Sequence, residues 1–477
     1  MKIIKKEYVK VLEWAFKIAY LLLGVATFNA FLYDSPVQPF LVDACLVLGG
    51  LTLLGRLAFF KDYWKTPYWI ILGLFCVAFL LSMIMNREYG AFFADFKWLI
   101  WTGMLFFLLY VCDTKREKES YKKEFTVLSH ILIIYSAIAS VAGIWLMANL
   151  YHGSWWSSND ELMQAGFHWG RLWGVYTDPN YGGVFTVAAV LMCVYFAKIR
   201  KKWLKIPYIL IIAADYLYIV FCDSRTAEVG MVLAAGFWLI YTGVQKKAGK
   251  KTIAYILIAC VFAGVFVGGT SVIKSQYNDR IQQEIQKQDA QNKANTNTNA
   301  NSNSNSNKQK SKTSMEEQKV GRQAELEKDV TNGRLALWAS GIEVWKTKPI
   351  FGTGYNSFLP YVNQELPETY AVNNPQGDYV SLHNEYLDIL VYHGVLGAAV
   401  FLAFMAAVIW RWLKTFRSIA EEDRDYIGVL SACCIVIATA MLFLLEGLHT
   451  NSPGTFILWT FLGYLMHYSY KSRETKA

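Results

Sequence analysis

The sequence predicts an all-α polytopic membrane protein of about twelve transmembrane helices, with a large extracytoplasmic loop between helices nine and ten. Composition is the first ground: of 477 residues, 54% are hydrophobic and 16% aromatic, against 17% charged. The second is that the apolar residues come in runs of about 20, the length at which an α-helix crosses hydrocarbon while satisfying its own backbone hydrogen bonds. The third is charge placement. With the N-terminus inside, the inner segments carry 28 Lys and Arg, whereas the short outer segments carry only Arg87, Arg171 and Arg225. Lys and Arg are retained on the cytoplasmic side of short loops, so both termini are expected in the cytoplasm. The formal net charge of +9 is scattered over seven inner segments, which fits a topology signal and speaks against a nucleic-acid surface.

The expected spans are about 11–32, 39–60, 67–85, 93–112, 124–150, 181–198, 206–222, 227–244, 252–269, 384–410, 426–447 and 453–469. They divide the chain into residues 1–269 with nine helices, the loop 270–383, and residues 384–477 with three more. The first apolar segment lacks a small-x-small cleavage site and is too long for a signal-peptide h-region, so it is expected to remain as a span. The eight cysteines lie in or at the ends of spans without metal-like spacing and read as packing residues. In the first five spans, Pro36 and Pro39 mark the first outer turn. Asp95 and Lys97 stand two apart, share no helix face, and read as snorkelling groups at the outer end of the fourth span.

The outer segment 151–180 is dense in aromatics and glycine and ends in Asp178-Pro179-Asn180-Tyr181-Gly182-Gly183. Two readings stand: an aromatic belt in the headgroup zone, or a helix cap that presents hydrogen-bonding side chains to a sugar or phosphate. Span seven ends in Asp223-Ser224-Arg225-Thr226, with Glu228 in the next turn. Arg225 there either snorkels or binds an anion, and the positive end of the following helix, capped by Ser224 or Thr226, favours the anion. Glu228 is the expected partner of Arg225.

The long loop divides by composition. Residues 274–288 and 315–330 are charged and helix-prone, while 288–314 encloses a tract, Asn292 to Asn307, of nearly pure Asn, Thr, Ser and Ala. That tract buries too little apolar surface to fold and reads as a disordered spacer. Leu335, Trp338, Ile342 and Trp345 then recur at helical spacing, predicting an amphipathic helix over about 333–347 that starts near Asn332 and ends before Pro349. Span ten opens with His383-Asn384. A lone histidine at a helix end is usually a capping or solvated residue, but Glu385 is two residues on, and Arg225 and Arg334 are expected on the same side. Gly394 and Gly397 in that helix suit close packing. Glu446, His449 and Asn451 form a second polar cluster read as supporting, and His393 and His467 read as structural.

These residues resemble a known family. Asp178-Pro179-Asn180, Ser224-Arg225-Thr226, Gly333-Arg334 with Trp338, Pro349-x-x-Gly352-x-Gly354, and His383-Asn384 followed after nine residues by Gly394-x-x-Gly397 appear in the order found in the O-antigen ligase and O-antigen polymerase family of bacterial membrane glycosyltransferases. The resemblance covers roughly Gly170 to Phe404. It implies a GT-C-like architecture, a multi-pass protein of the bacterial cytoplasmic membrane with its active site on the outer face, and no metal or cofactor. In keeping with this, the outer segments show no Asp-x-Asp pair, Gly-rich phosphate loop or His/Cys ligand cluster. The implied donor is an undecaprenyl-diphosphate-linked glycan, attacked at its anomeric carbon by an acceptor hydroxyl with inversion. His383, Arg225 and Arg334 are then the expected catalytic residues, and Arg171, Asn180, Tyr181 and Asn384 the expected sugar or phosphate contacts. Membrane lipids and other polysaccharide export proteins are the remaining expected partners.

Two alternatives accompany this expectation. One is an O-antigen ligase that hands the glycan once to lipid A core or a protein. Polymerisation is preferred because the third glycine often seen three residues after Gly397 is Val400 here, and because the chain ends soon after the last span. The other is a polysaccharide flippase, which the absence of an internal repeat and the outer-edge position of the polar residues disfavour.

Overall fold

The computed structural model describes residues 5–246, 252–298, 319–321, 333–375, 377–416 and 418–474, with the side chains of 288–298 left aside. Among these residues the chain is mostly helical. The helices are α1 (Lys6–Thr27), α2 (Val37–Ala58), α3 (Phe60–Tyr63), α4 (Trp69–Met85), α5 (Phe92–Met104), α6 (Lys118–Ala148), α7 (Pro179–Ile199), α8 (Ile206–Cys222), α9 (Arg225–Gln245), α10 (Thr252–Thr298), α11 (Arg334–Thr347), α12 (Phe358–Glu365), α13 (Glu385–Phe416), α14 (Arg424–Ala440) and α15 (Pro453–Glu474). α5 runs on as a π-helical turn, Leu105–Tyr110.

Among the described residues, eight helices are long and apolar enough to cross a membrane by length and composition, and α4 is a shorter apolar one. The expected spans at 11–32, 426–447 and 453–469 correspond to α1, α14 and α15, which fall short of that measure. α1 carries Glu13 and Lys17 in its middle, and both are buried. They survive there because each is paired: Lys17 Nζ lies 2.5 Å from Glu124 of α6, and Arg56 of α2 lies 2.8 Å from Glu13. Arg116 adds a second cation 2.7 Å from Glu124. A buried charge is tolerated when its partners satisfy it, so this network fastens α1, α2 and α6 at one end of the bundle.

The other end carries the polar surface structure. There the chain departs from an all-α expectation: β1 (His152–Trp156), β2 (Leu162–His168) and β3 (Arg171–Gly174) form a three-stranded antiparallel sheet. His168 pairs with Arg171 across a two-residue turn, Trp169-Gly170, in which both residues have positive φ (50° and 70°). Such a primed turn matches the twist of the flanking strands. The aromatic density of 151–174 therefore serves strands, where aromatic side chains pack well, rather than a loose belt.

α10 continues as a helix to Thr298, well past the expected span end at 269. The first residues of the expected spacer are thus helical; the rest of 288–314 and Asn332 lie outside the described residues. The amphipathic helix exists as α11, but its buried face is Leu337, Ser340, Gly341 and Val344. Leu335, assigned to the buried stripe by its spacing, is 59% exposed. The helix turns its small residues inward because it docks closely: a Cβ on Gly341 would overlap the Leu382 side chain. Trp338, half-buried, donates its indole N–H to the Leu382 carbonyl at 3.1 Å. Leu337, Val344, Phe358, Tyr361, Val362, Leu382, Val391 and Tyr392 form a small apolar core that fixes α11 and α12 over the start of α13.

Candidate active site

The site begins with two helix ends and a hairpin. Asp178 caps α7, its side chain accepting from the Asn180 amide at 2.5 Å, with Pro179 in the first turn. This is the arrangement that satisfies an orphan N–H and leaves the next side chains pointing past the helix end. Ser224 caps α9 in the same way, accepting from Ala227 N at 3.3 Å. The tight β2–β3 turn sets Arg171 at the first position of β3, where Nε donates to the Cys222 carbonyl at 2.8 Å and Nη2 to Asn180 Oδ1 at 2.7 Å. Asn180 Oδ1 also accepts from Ser224 Oγ at 3.1 Å, so α7, β3 and the cap of α9 meet at one amide oxygen, with the end of α8 tied in through Arg171.

Against this cluster stand α11 and the approach to α13. Gly333, with φ of 75°, turns the chain into α11, whose first residue is Arg334. The Arg334 guanidinium lies 5.5 Å from the centre of the Phe443 ring. His383, immediately before Asn384, has φ of 50°. A non-glycine residue in that region is strained, and such strain concentrates where a side chain must be aimed. Its ring meets Tyr379 edge-on at 5.8 Å, and neither ring nitrogen has a hydrogen-bond partner among the described residues.

These groups enclose a cavity of about 280 Å³ lined by Arg171, Asp178, Asn180, Tyr181, Arg334 and His383, with Trp169, Trp173 and Tyr379 among its aromatic edges. Burial, then the nearby Arg334 cation, hold the His383 imidazole below its ordinary value of 6.5, with Asp178 pulling weakly the other way. His383 is therefore a neutral imidazole at pH 7, able to accept a proton. The buried indole N–H of Trp173 has no hydrogen-bond partner among the described residues, which suits a wall that meets a ligand oxygen.

Five of the seven expected site residues line this cavity; Arg225 and Asn384 do not. Arg225 is the first residue of α9 and is exposed, one position from Ser224. Glu228, expected beside it, instead pairs with Lys274 at 3.0 Å, a lysine that also holds Asp223 at 2.6 Å. Asn384 is buried and uses its side-chain oxygen to accept from Leu387 N at 3.2 Å, capping α13.

Glu385 turns away from His383 to a different histidine. It is fully buried and accepts from His449 Nδ1 at 3.0 Å and from the amides of Gly447, Leu448 and His449 at 2.5, 2.7 and 3.0 Å. His449 Nε2 in turn meets His393 Nε2 at 3.1 Å. Asp95, read as a snorkelling residue, is buried and accepts from Asn356 N at 2.6 Å and Ser357 Oγ at 3.0 Å, anchoring the loop after Gly354. Sequence reasoning missed the pairing of Glu385 with His449 and the part of Tyr379. The first joins residues 64 apart in the chain, and nothing near Tyr379 marks it.

The fold and the cavity define a class: a multi-pass helical membrane protein with a cationic, aromatic-edged cavity at one end, holding a neutral histidine. Residues 208–402 of this chain match the family model described as O-antigen ligase. The matched region runs from α8 into α13 and includes Arg225, Arg334 and His383. It leaves out Arg171, Asn180 and Tyr181, which come from elements before it. Comparison with curated proteins gives no match.

Proposed function

We propose that this protein polymerises undecaprenyl-diphosphate-linked oligosaccharide repeat units into surface polysaccharide on the outer face of a bacterial cytoplasmic membrane. The observation that carries the reading is the convergence of Arg171, Arg334, Asn180, Tyr181 and His383 on one cavity. His383 takes the proton from an acceptor hydroxyl, whose oxygen attacks the donor's anomeric carbon from the face opposite the diphosphate. A new glycosidic C–O bond forms, the bond to phosphate breaks with inversion, and its electron pair leaves on the lipid diphosphate.

Negative charge grows on the leaving group, and fixed guanidinium groups stabilise it in place of a metal. Arg334 in the cavity wall has this role, with Arg225 at the exposed start of α9 meeting the diphosphate from the rim. Arg171 is held by Cys222 and Asn180 and positions Asn180 for the sugar.

The match to an O-antigen ligase domain favours a second reading, in which the glycan passes once to lipid A core or a protein. Purified protein in liposomes, given only the lipid-linked repeat unit, separates the two. A product ladder spaced by one repeat supports polymerisation. Elongation only after lipid A core or a protein is added favours the ligase, and no transfer even in detergent removes both and returns the transporter.

A further inference from the structure

A second cavity, of about 550 Å³, lies back to back with the first. Tyr181 lines both. Leu444 faces one and Leu445 the other, and the Leu445 amide donates to the Tyr181 hydroxyl at 3.2 Å. The wall between them is therefore one side chain thick, and it is braced by Phe28, whose ring centre is 4.7 Å from that of Tyr181.

The two cavities differ in chemistry. The first holds guanidinium groups and a histidine. The second sets Trp98, Trp101 and Tyr355 among Gln38, Asn451 and Lys97. Asn451 accepts from the Tyr20 hydroxyl through its side-chain oxygen at 2.7 Å, and its amide N–H groups have no hydrogen-bond partner among the described residues. Lys97 is exposed and has no ion-pair partner among the described residues. The wall is rigid where it matters: Trp98 packs edge-on against Tyr355 at 5.3 Å, and Tyr355 donates to the His449 carbonyl at 3.1 Å. His449 is itself fixed by Glu385. Aromatic faces beside polar donors and acceptors, here including Lys97 and Glu161, are the lining that a saccharide needs, with apolar C–H faces to stack and hydroxyls to bond. The volume falls in the ~300–1,000 Å³ range of small-molecule sites.

The approaches differ as well. Trp98 and Lys97 come from α5, Gln38 from α2 and Asn451 from the turn before α15, whereas the first cavity is built by β3, α7, α11 and the approach to α13. Two substrates can thus arrive between different helices and meet at Tyr181. We propose that the second cavity is the acceptor subsite, holding the saccharide whose reactive hydroxyl reaches over Tyr181 to His383. This rests on the transfer reaction proposed above and specifies which substrate occupies which side.

Two measurements on the full-length protein test it. The first is calorimetric titration with the diphosphate-free saccharide released by mild acid from the lipid-linked repeat unit. Wild type should bind it, Trp98→Ala and Gln38→Ala should each bind about tenfold more weakly, and Trp98→Phe should retain most of the affinity. No binding to monodisperse wild type, or equal binding by Trp98→Ala, overturns the assignment whether or not transfer is seen. The second is the initial rate in liposomes with each substrate varied in turn. Trp98→Ala should raise the acceptor KM about tenfold and leave the donor KM within about twofold. A rise confined to the donor KM would place the donor's sugar here and overturn the proposal. Failure of wild type to transfer at all, with saccharide binding intact, would instead strike the polymerase reading.

Discussion

Gly394 sits inside α13 against the carbonyl of Ile350, so close that a Cβ on Gly394 would overlap it. Its φ of 63° and ψ of −171° are open to glycine alone and break the helix. The gap is filled by the loop after α11: Thr353 and Gly354 donate to Val391 and Tyr392 at 2.9 Å each, and Val395 donates to Pro349 at 2.8 Å. The two glycine motifs of the sequence are thus halves of one joint, and the carbonyls freed by the break are satisfied by the inserted loop. Gly394→Ala should therefore destabilise the protein by on the order of 3 kcal/mol through strain and overlap. Thermal unfolding of the detergent-purified variant should show a much lower midpoint, and a midpoint equal to wild type would refute the joint.

The depressed pKa of His383 gives a pH prediction. Neutral imidazole is the active form of a base, so kcat/KM should fall as pH drops through the folded-state pKa, which burial and Arg334 place below 6.5. Removing the Arg334 cation removes an obstacle to protonation, so the residual activity of Arg334→Gln should show its acid limb at higher pH. His383→Ala should lose a factor on the order of 100 to 1000. An acid limb above 6.5 in wild type, or one that Arg334→Gln leaves unmoved, would take His383 out of the proton transfer.

The two arginines should not be equal. Arg334 lines the cavity while Arg225 is exposed beside it, and a charge in a partly desolvated wall acts on the leaving group more strongly than one screened by water. Arg334→Ala is expected to lower the transfer rate on the order of 100-fold or more, and Arg225→Ala roughly 10-fold. Arg334→Lys should rescue poorly, since a point charge does not reproduce the guanidinium fork on a diphosphate. Equal losses in the two alanine variants, measured on folded protein, would mean that Arg225 acts on the leaving group as strongly as Arg334.

The sidedness of the protein rests on charge asymmetry and is open to chemical labelling. A cysteine at Ser304, in a variant lacking the eight native cysteines, of which Cys260 is exposed, should react with impermeant maleimide in intact cells. Reaction only after permeabilisation would invert the topology.

Much of the geometry of the candidate site was legible because its parts are local. Asp178-Pro179-Asn180 and Ser224 are helix caps, and a cap is written in adjacent residues. The helices were legible from apolar runs for the same reason. What the sequence hid is what depends on which faces meet. The period of α11 was readable, but the choice between the Leu335 and Leu337 faces was made by Leu382, 45 residues on from Leu337. Asn384, expected as a substrate contact, uses its side-chain oxygen as a cap, and a capping side chain and a ligand-binding one have the same composition at a helix start. The sheet was hidden by its aromatics, which suit strand and membrane interface alike.

Glu385 has a structural role, and its loss should be felt mainly in the second cavity, whose wall includes His449 and Tyr355. It supplies acceptors to three backbone amides and to His449 Nδ1 at the turn after α14, all of them buried. Glu385→Gln keeps the size but replaces one acceptor oxygen by an N–H2 that faces donors, leaving at least one amide unsatisfied. A buried unsatisfied donor costs about 1–3 kcal/mol, more where the lost partner was charged. The variant should melt well below wild type, and the acceptor KM should rise because His449 and Tyr355 lose their fixed positions, whereas the donor KM should change less. His449→Ala leaves Glu385 its three amides and should destabilise less than Glu385→Gln. If Glu385→Gln melts with wild type, the carboxylate is not the anchor of this turn, and the rigidity ascribed to the wall of the second cavity must come from Tyr355 and Trp98 alone.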